Sequence, residues 1–562
     1  MAVSITNLAR ILIDSGLVKD VDFDKAFKAS EKEGLPIEVV LVQNKYVSDH
    51  ELGEIIADSL GFEYIDLKFE RVTSELMELI PEEVARAQRA VFFDKTEDTF
   101  KLATVNPDNY EFIKLLEKNT KKKISVYYTT PLGIEDGLKY YNTDVEKKIK
   151  ILLGHYQETN DDQDIVKIVD ALIEYGYNIK ASDIHIEPLD KETVIVRYRI
   201  DGVLYKSIEY PAILHPKIVF RVKIMSRLHT DEHSATQDGK FPFKMENENF
   251  DVRVSVLPVT NGENVVLRIL SERARKISIT QLGLSDLGLE KVKEVINKPH
   301  GMILSAGATG SGKTTTLYAL IQVIDKHSLN VVTIEDPVEY AMENVQQIQV
   351  NLKKDLTFAN GLRSIVRQDP DVIMVGEIRD AETAAIAVNA AMTGHVLFSS
   401  IHANDSVTVF PRLEEMGIEP FLIASSVNLI IAQKLVRKVC EACKISYTPV
   451  GKELDVLKKY PSIKESFEKF LNVKDVDLNT IKLYKGTGCK VCNNTGYDGR
   501  IGVFELLEVN DKIREMIKNR VSSADIQAEA KNNGMETLDY GTLVKVILGI
   551  TTLEEAVDFS EL

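Results

Sequence analysis

Apolar residues near the start of the chain recur at intervals of three and four, as Leu8, Ile11 and Leu12 do, which predicts helices with one buried face. Residues 8–23 and 37–52 share this pattern at an offset of 29 residues, each as a short helix, a turn and the start of a second helix. Because sequence repeats are structural by default, we interpret this one as a helical packing unit rather than as a ligand-binding site.

Two less regular segments follow the repeat. Residues 62–140 predict a small α/β partner to it, with strand-like runs at 90–93, 100–105 and 124–129. Residues 141–164 are highly charged and show no clear period, which is typical of a linker with room for one short helix.

The next segment, 165–275, opens with an amphipathic helix and changes to strands. Residues 193–202 alternate apolar and polar side chains, and residues 251–270 form two strands joined through Asn261-Gly262, a strong hairpin signal. The strands carry four arginines, which on the residues alone are expected to be solvated on a polar face. These are Arg197, Arg199, Arg253 and Arg268.

From about 285 to 440, near-continuous apolar strands alternate with helices, in the runs MILSAG, NVVTIED, DVIMVGE and HVLFSSIH. Such strands predict a parallel sheet covered by helices on both faces, so the fold class is α/β. The remainder holds all of the cysteines and then becomes rich in helical patterns.

Composition narrows the class of protein without naming a function. The chain has 562 residues, 44% hydrophobic and 28% charged, which is ordinary for a globular protein of three to five domains. A net charge of −17 argues against a protein that binds nucleic acid over its whole surface. No run of apolar residues approaches a membrane span and no signal peptide is evident, so we expect a cytosolic protein.

A phosphate-binding loop is the clearest chemical signal. GATGSGKT, from Gly307 to Thr314, fits G-x-x-x-x-G-K-[ST], follows an apolar strand and opens a helix. Its glycines let backbone N–H groups turn toward phosphate, Lys313 can reach the β and γ phosphates, and the Thr314 hydroxyl can bind Mg²⁺. The predicted nucleotide-binding residues of this loop are Gly307, Ala308, Thr309, Gly310, Ser311, Gly312, Lys313, Thr314 and Thr315.

Hydrolysis also needs carboxylates, and two downstream strands end in them. Glu335, Asp336 and Glu339 follow the strand NVVTI, and Glu377 follows DVIMVG. Since carboxyl ends of parallel strands are where such sheets bind ligands, these acids are predicted to polarise water and to lie near the metal. Thr314, Asp336 and Glu377 are the predicted magnesium residues.

Two histidines bracket the next strand, His395 at its start and His402 at its end. By position His402 can hydrogen-bond the γ phosphate, whereas for His395 the residues alone leave a structural and a functional role equally open.

The four cysteines form two CxxC pairs. Cys440 and Cys443 make the first pair, and Cys489 and Cys492 make the second. This arrangement is typical of a tetrahedral thiolate Zn²⁺ site, and four protein ligands make such a site structural. The alternative is free thiols that bind no metal, because disulfides are disfavoured in the cytosol.

Together these motifs resemble the secretion ATPase superfamily of type II and type IV secretion systems, and within it the type IV pilus assembly (extension) ATPases. The resemblance rests on GATGSGKTTTLY, TIEDPVEY, VRQDPDVIMVGEIRD, TGHVLFSSIHAND and GCKVCNNTGYDGRIGVFE, in the order of the family. It implies an α/β multidomain fold with a helical and α+β amino-terminal domain, a PAS-like α+β domain and a RecA-like P-loop core with zinc-binding and helical carboxyl-terminal subdomains. The domain boundaries it implies are 1–140 (N1-type), 141–164 (linker), 165–284 (PAS-like), 285–440 (ATPase core), 441–505 (tetracysteine) and 506–562 (helical).

The resemblance also implies roles for individual residues. Glu335 falls on the first glutamate of the family's Asp box and is expected to activate water, and Glu377 falls on its Walker B acid. His395 and His402 fall in its His box. In the family, arginines of the preceding domain reach the nucleotide, which turns the expectation for Arg197, Arg253 and Arg268 from surface residues into phosphate contacts.

Some positions depart from the family pattern. Ala308 replaces a usual proline, which leaves the backbone amides unaffected, and residues 231–240 lack a usual arginine pair. The amino-terminal repeat resembles modules that bind cyclic di-GMP in some members, but NLA and PIE stand at its starts and Ser30 and Ser59 at its ends. Tight cyclic di-GMP binding is therefore not expected.

The function implied is an ATP-hydrolysing homohexamer that powers type IV pilus assembly beneath a polytopic inner-membrane platform protein. It would be cytoplasmic and held at the inner membrane through that partner, with Mg²⁺ and structural Zn²⁺ as cofactors. A type II secretion motor is the nearest alternative. A retraction ATPase, a non-hydrolysing nucleotide switch and a nucleic-acid translocase are less favoured, and direct contact with nucleic acid is not expected.

Overall fold

A computed structural model describes residues 5–33, 36–44, 46–67, 72, 74–77, 79–96, 98–138, 145–159, 161–245, 249–270, 277–489 and 491–559. Its contacts divide the chain into two compact units. Unit 1 is Met1–Glu246 with Asp251–Ile269, and unit 2 is Asn247–Phe250 with Leu270–Leu562.

Unit 1 begins with the predicted helical repeat. Its helices are α1 (Ile5–Asp14), α2 (Asp20–Glu33), α3 (Ile37–Gln43) and α4 (Asp49–Leu60). The matched positions Leu12 and Leu41 are both fully buried in one apolar core, which confirms the repeat as a packing unit. Ser48 and Glu51 form a reciprocal capping box that fixes the start of α4.

The predicted α/β partner follows. Its elements are β1 (Glu63–Tyr64), α5 (Ser74–Met77), α6 (Glu82–Gln88), β2 (Ala90–Lys95), β3 (Thr99–Thr104), α7 (Tyr110–Thr120), β4 (Lys123–Tyr128) and α8 (Pro131–Leu138). The sheet order is β1-β4-β3-β2, so all three strand-like runs of this segment are strands.

The segment predicted as a linker is mostly helical. Residues 141–144 and 160 lie outside the described residues, but α9 (Val145–Thr159) and α10 (Asp162–Asn178) occupy the rest of it. Ile149, Leu153 and Tyr156 are buried on one side of α9, and the two helices pack together. The sequence allowed one short helix here, and α9 is longer and packed because three apolar positions spaced by four and three bury one side of a helix that is otherwise charged. The linker boundaries stay a prediction.

An antiparallel sheet completes unit 1. Its elements are β5 (Asp183–Pro188), β6 (Thr193–Ile200), β7 (Val203–Pro211), α11 (His215–Met225), β8 (Gln237–Lys244), β9 (Asn249–Val259) and β10 (Gly262–Leu270). The strand order is β7-β6-β5-β10-β9-β8, and the predicted Asn261-Gly262 turn joins β9 to β10.

Unit 2 is built on a seven-stranded sheet in the order β13-β12-β14-β15-β11-β16-β19. The first six strands are parallel, and β19 runs antiparallel to β16. The elements are α12 (Asp286–Ile296), β11 (Gly301–Ala306), α13 (Lys313–Val323), β12 (Val331–Glu335), β13 (Gln346–Gln349), α14 (Phe358–Ile365), β14 (Val372–Val375), α15 (Ala381–Met392), β15 (Val396–Ile401), α16 (Val409–Glu415), α17 (Pro420–Ser426), β16 (Val427–Val439), β17 (Lys444–Tyr447), α18 (Lys452–Lys459), α19 (Pro461–Leu471), β18 (Leu483–Gly486), β19 (Tyr497–Glu508), α20 (Asp511–Lys518), α21 (Ser523–Asn532), α22 (Leu538–Ile547) and α23 (Leu553–Phe559). All four predicted apolar strands are present and lie in this sheet.

Two predicted domain boundaries differ from this architecture. Ile279 and Leu282, assigned to the second domain from the sequence, are buried in the core of unit 2. The cysteine segment is a lobe inserted between the paired strands β16 and β19, so a boundary at 505 would cut through β19. Among the described residues, no helix combines the length and the apolar character needed to cross a bilayer.

Candidate active site and cysteine cluster

The phosphate-binding loop lies between β11 and α13, as the motif requires. Gly307, Gly310 and Gly312 all have positive φ, and a Cβ on Gly307 would lie 2.5 Å from Ser311 Oγ and 2.7 Å from the Gln433 carbonyl oxygen. Only glycine therefore fits the first position. Ser311 Oγ is buried and has no hydrogen-bond partner among the described residues, as expected of a loop shaped to receive an anion.

Lys313 is folded over this loop. Its Nζ donates to the carbonyl oxygens of Gly307, at 2.8 Å, and Ala308, at 3.0 Å. Burial lowers the pKa of Lys313, and the nearby charge of Glu377 opposes that shift. An incoming phosphate would offer this amino group a charged acceptor in place of two carbonyls.

Four adjacent parallel strands bring the predicted residues together. The strands β12, β14, β15 and β11 are neighbours in the sheet. β12 ends at Glu335, β14 ends just before Glu377, β15 ends just before His402, and β11 ends at the phosphate loop. The carboxyl edge of the sheet is therefore one continuous site. Ala308, Thr309, Gly310, Thr314 and Asp336 are exposed there, and Thr315 is half-buried.

Glu335 has an environment that the sequence did not indicate. It is 2% exposed, and Tyr318 Oη donates to its Oε2. Thr333 Oγ1 at 2.5 Å and Gln347 Nε2 at 3.1 Å donate to its Oε1. Both carboxylate oxygens thus accept hydrogen bonds inside the protein, an environment that does not favour a proton transfer from water. The role of Glu335 as water activator stays a prediction.

Glu377 lies beside an arginine and a histidine at the next strand end. Arg379 Nη2 is 2.6 Å from its Oε1, and His402 Nε2 is 3.5 Å from its Oε2. The carboxylate is only 12% exposed, whereas His402 is 47% exposed and can face a ligand. The structure thus brings together Lys313, Glu377 and His402 as predicted.

His395 does not join this group. It precedes β15, so the six residues of that strand, about 20 Å, separate it from His402. Its Nδ1 is 2.8 Å from the Ala390 carbonyl oxygen at the end of α15. The ring of His395 therefore has a structural contact at the opposite edge of the sheet, and a functional role for it stays a prediction.

The predicted arginines lie in unit 1. Arg197 makes two hydrogen bonds, at 2.6 and 2.7 Å, to Glu187 on the neighbouring strand, and Arg268 Nε lies 2.8 Å from Asp183 Oδ1. Arg253 is half-buried on β9. Arg197 and Arg268 thus already bind carboxylates of their own sheet, and contact of the three arginines with phosphate stays a prediction.

Several supporting residues were missed by the sequence analysis. Gln433 Nε2 donates to the Ser311 carbonyl oxygen at 2.7 Å and supports the loop from β16. Arg379 and the Glu335 partners Tyr318 and Gln347 were also missed. The GEIRD motif contains Arg379, so its pairing could have been suspected, but no local pattern indicates the others.

The four cysteine sulfurs form a compact cluster, all within 4.8 Å of one another. The Cys440–Cys489, Cys443–Cys492 and Cys489–Cys492 sulfur distances are 3.8, 3.9 and 3.7 Å. Four thiolates around Zn²⁺ at about 2.3 Å would stand about 3.8 Å apart, so the sulfurs fit a tetrahedral ion. Although burial raises the pKa of Cys492, hydrogen bonds from the Cys489 and Gly496 amides outweigh it and hold that pKa below the usual value.

Comparison with known proteins decides the family. A family model described as type II/IV secretion system protein matches residues 158–558. The type IV pilus assembly ATPase PilB of Myxococcus xanthus is 35% identical over 568 residues, which cover 98% of each chain. The chain belongs to the type II/IV secretion system protein family.

Other relatives of this secretion ATPase align over a shorter part. The type II secretion system protein E of Pseudomonas aeruginosa is 42% identical over 398 residues, covering 71% of this chain and 76% of that protein. The solved structure of the Yersinia pseudotuberculosis ATPase DotB is 18% identical in sequence, and the two structures have a TM-score of 0.50. The match covers 70% of this chain and 93% of the DotB chain, and it supports the fold alone. A second family model, the MshEN domain, matches residues 60–145 of the secretion ATPase.

Proposed function

We propose that this chain is an ATP-hydrolysing motor that powers type IV pilus assembly. The observation that carries the proposal is the alignment with a pilus assembly ATPase over 98% of both chains, together with an intact phosphate loop and acid-bearing strand ends. The type II secretion relative, by contrast, aligns over 71% of the chain. A type II secretion motor remains the second candidate because that shorter match is the more identical one.

The site residues have distinct roles in this proposal. Backbone N–H groups of the loop and the start of α13 would bind the β and γ phosphates, and Lys313 would neutralise their charge. Thr314 and Glu377 would hold Mg²⁺, whose chemistry is to neutralise the phosphate charge that develops during transfer. His402, beside Glu377 and half-exposed, would contact the γ phosphate.

We further propose that Glu339 supplies the water-activating carboxylate. It stands four residues beyond Glu335, in the loop that leaves the same strand end, and it is half-buried rather than enclosed. Its backbone N–H lies 3.4 Å from Tyr318 Oη, which anchors it to the helix that begins in the phosphate loop. Asp336, which is exposed, would then assist the metal as predicted.

The remaining partners and the location follow from the same proposal. We infer a homohexamer that works beneath a polytopic platform protein and lies at the cytoplasmic face of the inner membrane. The cysteine cluster would hold one structural Zn²⁺, since all four of its ligands come from the protein. No contact with nucleic acid is part of the proposal.

The choice between pilus assembly and secretion can be tested in the organism that encodes the chain. Deleting the gene should abolish surface pili and leave type II secretion of exoproteins intact. The wild-type gene should restore the pili, whereas Lys313→Gln should not, because the phosphate charge is then not neutralised. Loss of exoprotein secretion with normal piliation would instead favour the second candidate.

Binding of cyclic di-GMP is expected to be weak. The positions at the two starts of the repeat, Leu8 and Ile37, are each 1% exposed in the apolar core, and Ser59 donates to the Ile56 carbonyl oxygen. Leu8 and Ile37 therefore contribute to the packing of the repeat, which supports the expectation of weak binding. Titration calorimetry on the full chain should give no heat of binding at micromolar concentration, and a sub-micromolar Kd would contradict the prediction.

A further inference from the structure

The hydroxyl of Tyr318 lies where the phosphate-loop helix meets the acidic loop. Tyr318 is 1% exposed on α13, five residues beyond Lys313. Its Oη donates to Glu335 Oε2 and accepts the backbone N–H of Glu339 at 3.4 Å. Burial and the Glu335 carboxylate raise the pKa of Tyr318, so the hydroxyl keeps the proton that it donates.

Gln347 on β13 holds the other end of the same loop. Its Nε2 donates to Glu335 Oε1 and to the Tyr340 carbonyl oxygen, both at 3.1 Å, and its Oε1 accepts the Met342 N–H at 2.7 Å. The Tyr340 ring packs edge-on against the Tyr318 ring, with centroids 4.7 Å apart. The loop that carries Glu339 is therefore held at one end by the buried Tyr318 of α13 and at the other by the half-buried Gln347.

We propose that Tyr318 is a positioning residue that couples the phosphate loop to Glu339, with the buried Glu335 carboxylate as its anchor. The proposal rests on the proposed function, in which Glu339 activates water. A helix transmits a displacement at its first residue to a residue one and a half turns along it, because its backbone hydrogen bonds keep it rigid. Phosphate bound beside Lys313 thus sets the place of the Tyr318 hydroxyl and, through it, the place of Glu339.

Tyr318→Phe tests the coupling by removing one oxygen atom. Misplacing a reacting group by about 1 Å costs about 100-fold in rate, so we expect kcat to fall by about 10- to 100-fold. KM for ATP should change by less than about twofold, since the phosphate loop itself is untouched. Tyr447→Phe is the matched control: its hydroxyl also donates to a carboxylate, Glu453 at 3.1 Å, but lies in the cysteine lobe, so kcat should not change.

A double-mutant cycle separates positioning from general weakening of the fold. If Tyr318 acts through Glu339, then Tyr318→Phe should have no further effect on the residual turnover of Glu339→Gln. An equal loss in both backgrounds, or a Tyr318→Phe enzyme indistinguishable from Tyr447→Phe, would overturn the coupling. Unchanged turnover in Glu339→Gln alone would instead overturn the proposed role of Glu339.

Gln347→Met provides a second test should Tyr318→Phe not fold. It removes the amide that holds Glu335 and the loop, together with the 3.5 Å contact of that amide to Tyr318 Oη, but it retains the Tyr318 hydroxyl and its bond to Glu335. We expect kcat to fall by about 3- to 10-fold with KM unchanged, since one of the two anchors remains. Turnover equal to that of the wild type would contradict the coupling.

Discussion

Glu339→Gln is expected to reduce kcat for ATP hydrolysis by about 1,000-fold, because general base catalysis contributes about 100- to 10,000-fold and an amide cannot accept the proton. Binding of a non-hydrolysable ATP analogue should change by less than about threefold, since the phosphate loop and Glu377 are intact. Steady-state turnover and equilibrium titration with the analogue measure the two effects separately.

Glu343→Gln is the matched control for this variant. Glu343 is exposed in the same loop, so its loss of charge tests whether local electrostatics alone explain the effect. It should retain full turnover. If Glu339→Gln kept more than a third of the activity while Asp336→Asn lost it, the water-activating carboxylate would be Asp336 instead.

Removal of the cysteine ligands is expected to have the second large effect. The double variant Cys440→Ser and Cys489→Ser leaves two thiolates, too few for a closed zinc site. Because the free energy of binding structural zinc contributes to the free energy of folding, the variant should also lose stability. We expect zinc to fall from about one ion per chain to well below it, measured by elemental analysis. Protease cleavage between β17 and β18 should become at least about tenfold faster, since opening of the lobe then costs less free energy.

Ser446→Ala controls for substitution within the same lobe. Ser446 is exposed on β17 and should change neither the zinc content nor the rate of cleavage. Wild-type protein with well under one zinc per chain would contradict the assignment of the cluster. Cleavage of the double variant at the wild-type rate would show that the lobe is stable without metal.

Much of the fold was predictable because its signals are local. The strand before Gly307 is mostly apolar and is followed by glycines at the spacing of a phosphate loop, so the sequence alone predicts both its position and its function. The cysteine pairs were predictable for the same reason, since each pair supplies two ligands from one turn. The residues that activate or position water depend instead on contacts between distant elements.

Glu335 shows where local signals fail. The sequence places three acids near one strand end, but which of them is enclosed depends on Tyr318 from α13 and Gln347 from the parallel neighbour strand. No periodic pattern in the sequence indicates either contact. The length and packing of α9 were missed for another reason, because its charged residues obscure the three apolar positions that are buried.

The insertion of the cysteine lobe between β16 and β19 also fixes an order of events during synthesis. Val439 pairs with Tyr497 where the lobe leaves the sheet, so the edge strand cannot be added until the whole lobe has left the ribosome. The apolar core of the lobe includes Leu543 and Val546 of α22 and Leu553 of α23, which emerge last. All four cysteines therefore leave the ribosome before β19 and before these helices, so zinc can bind to the growing chain before the sheet and the lobe core are complete.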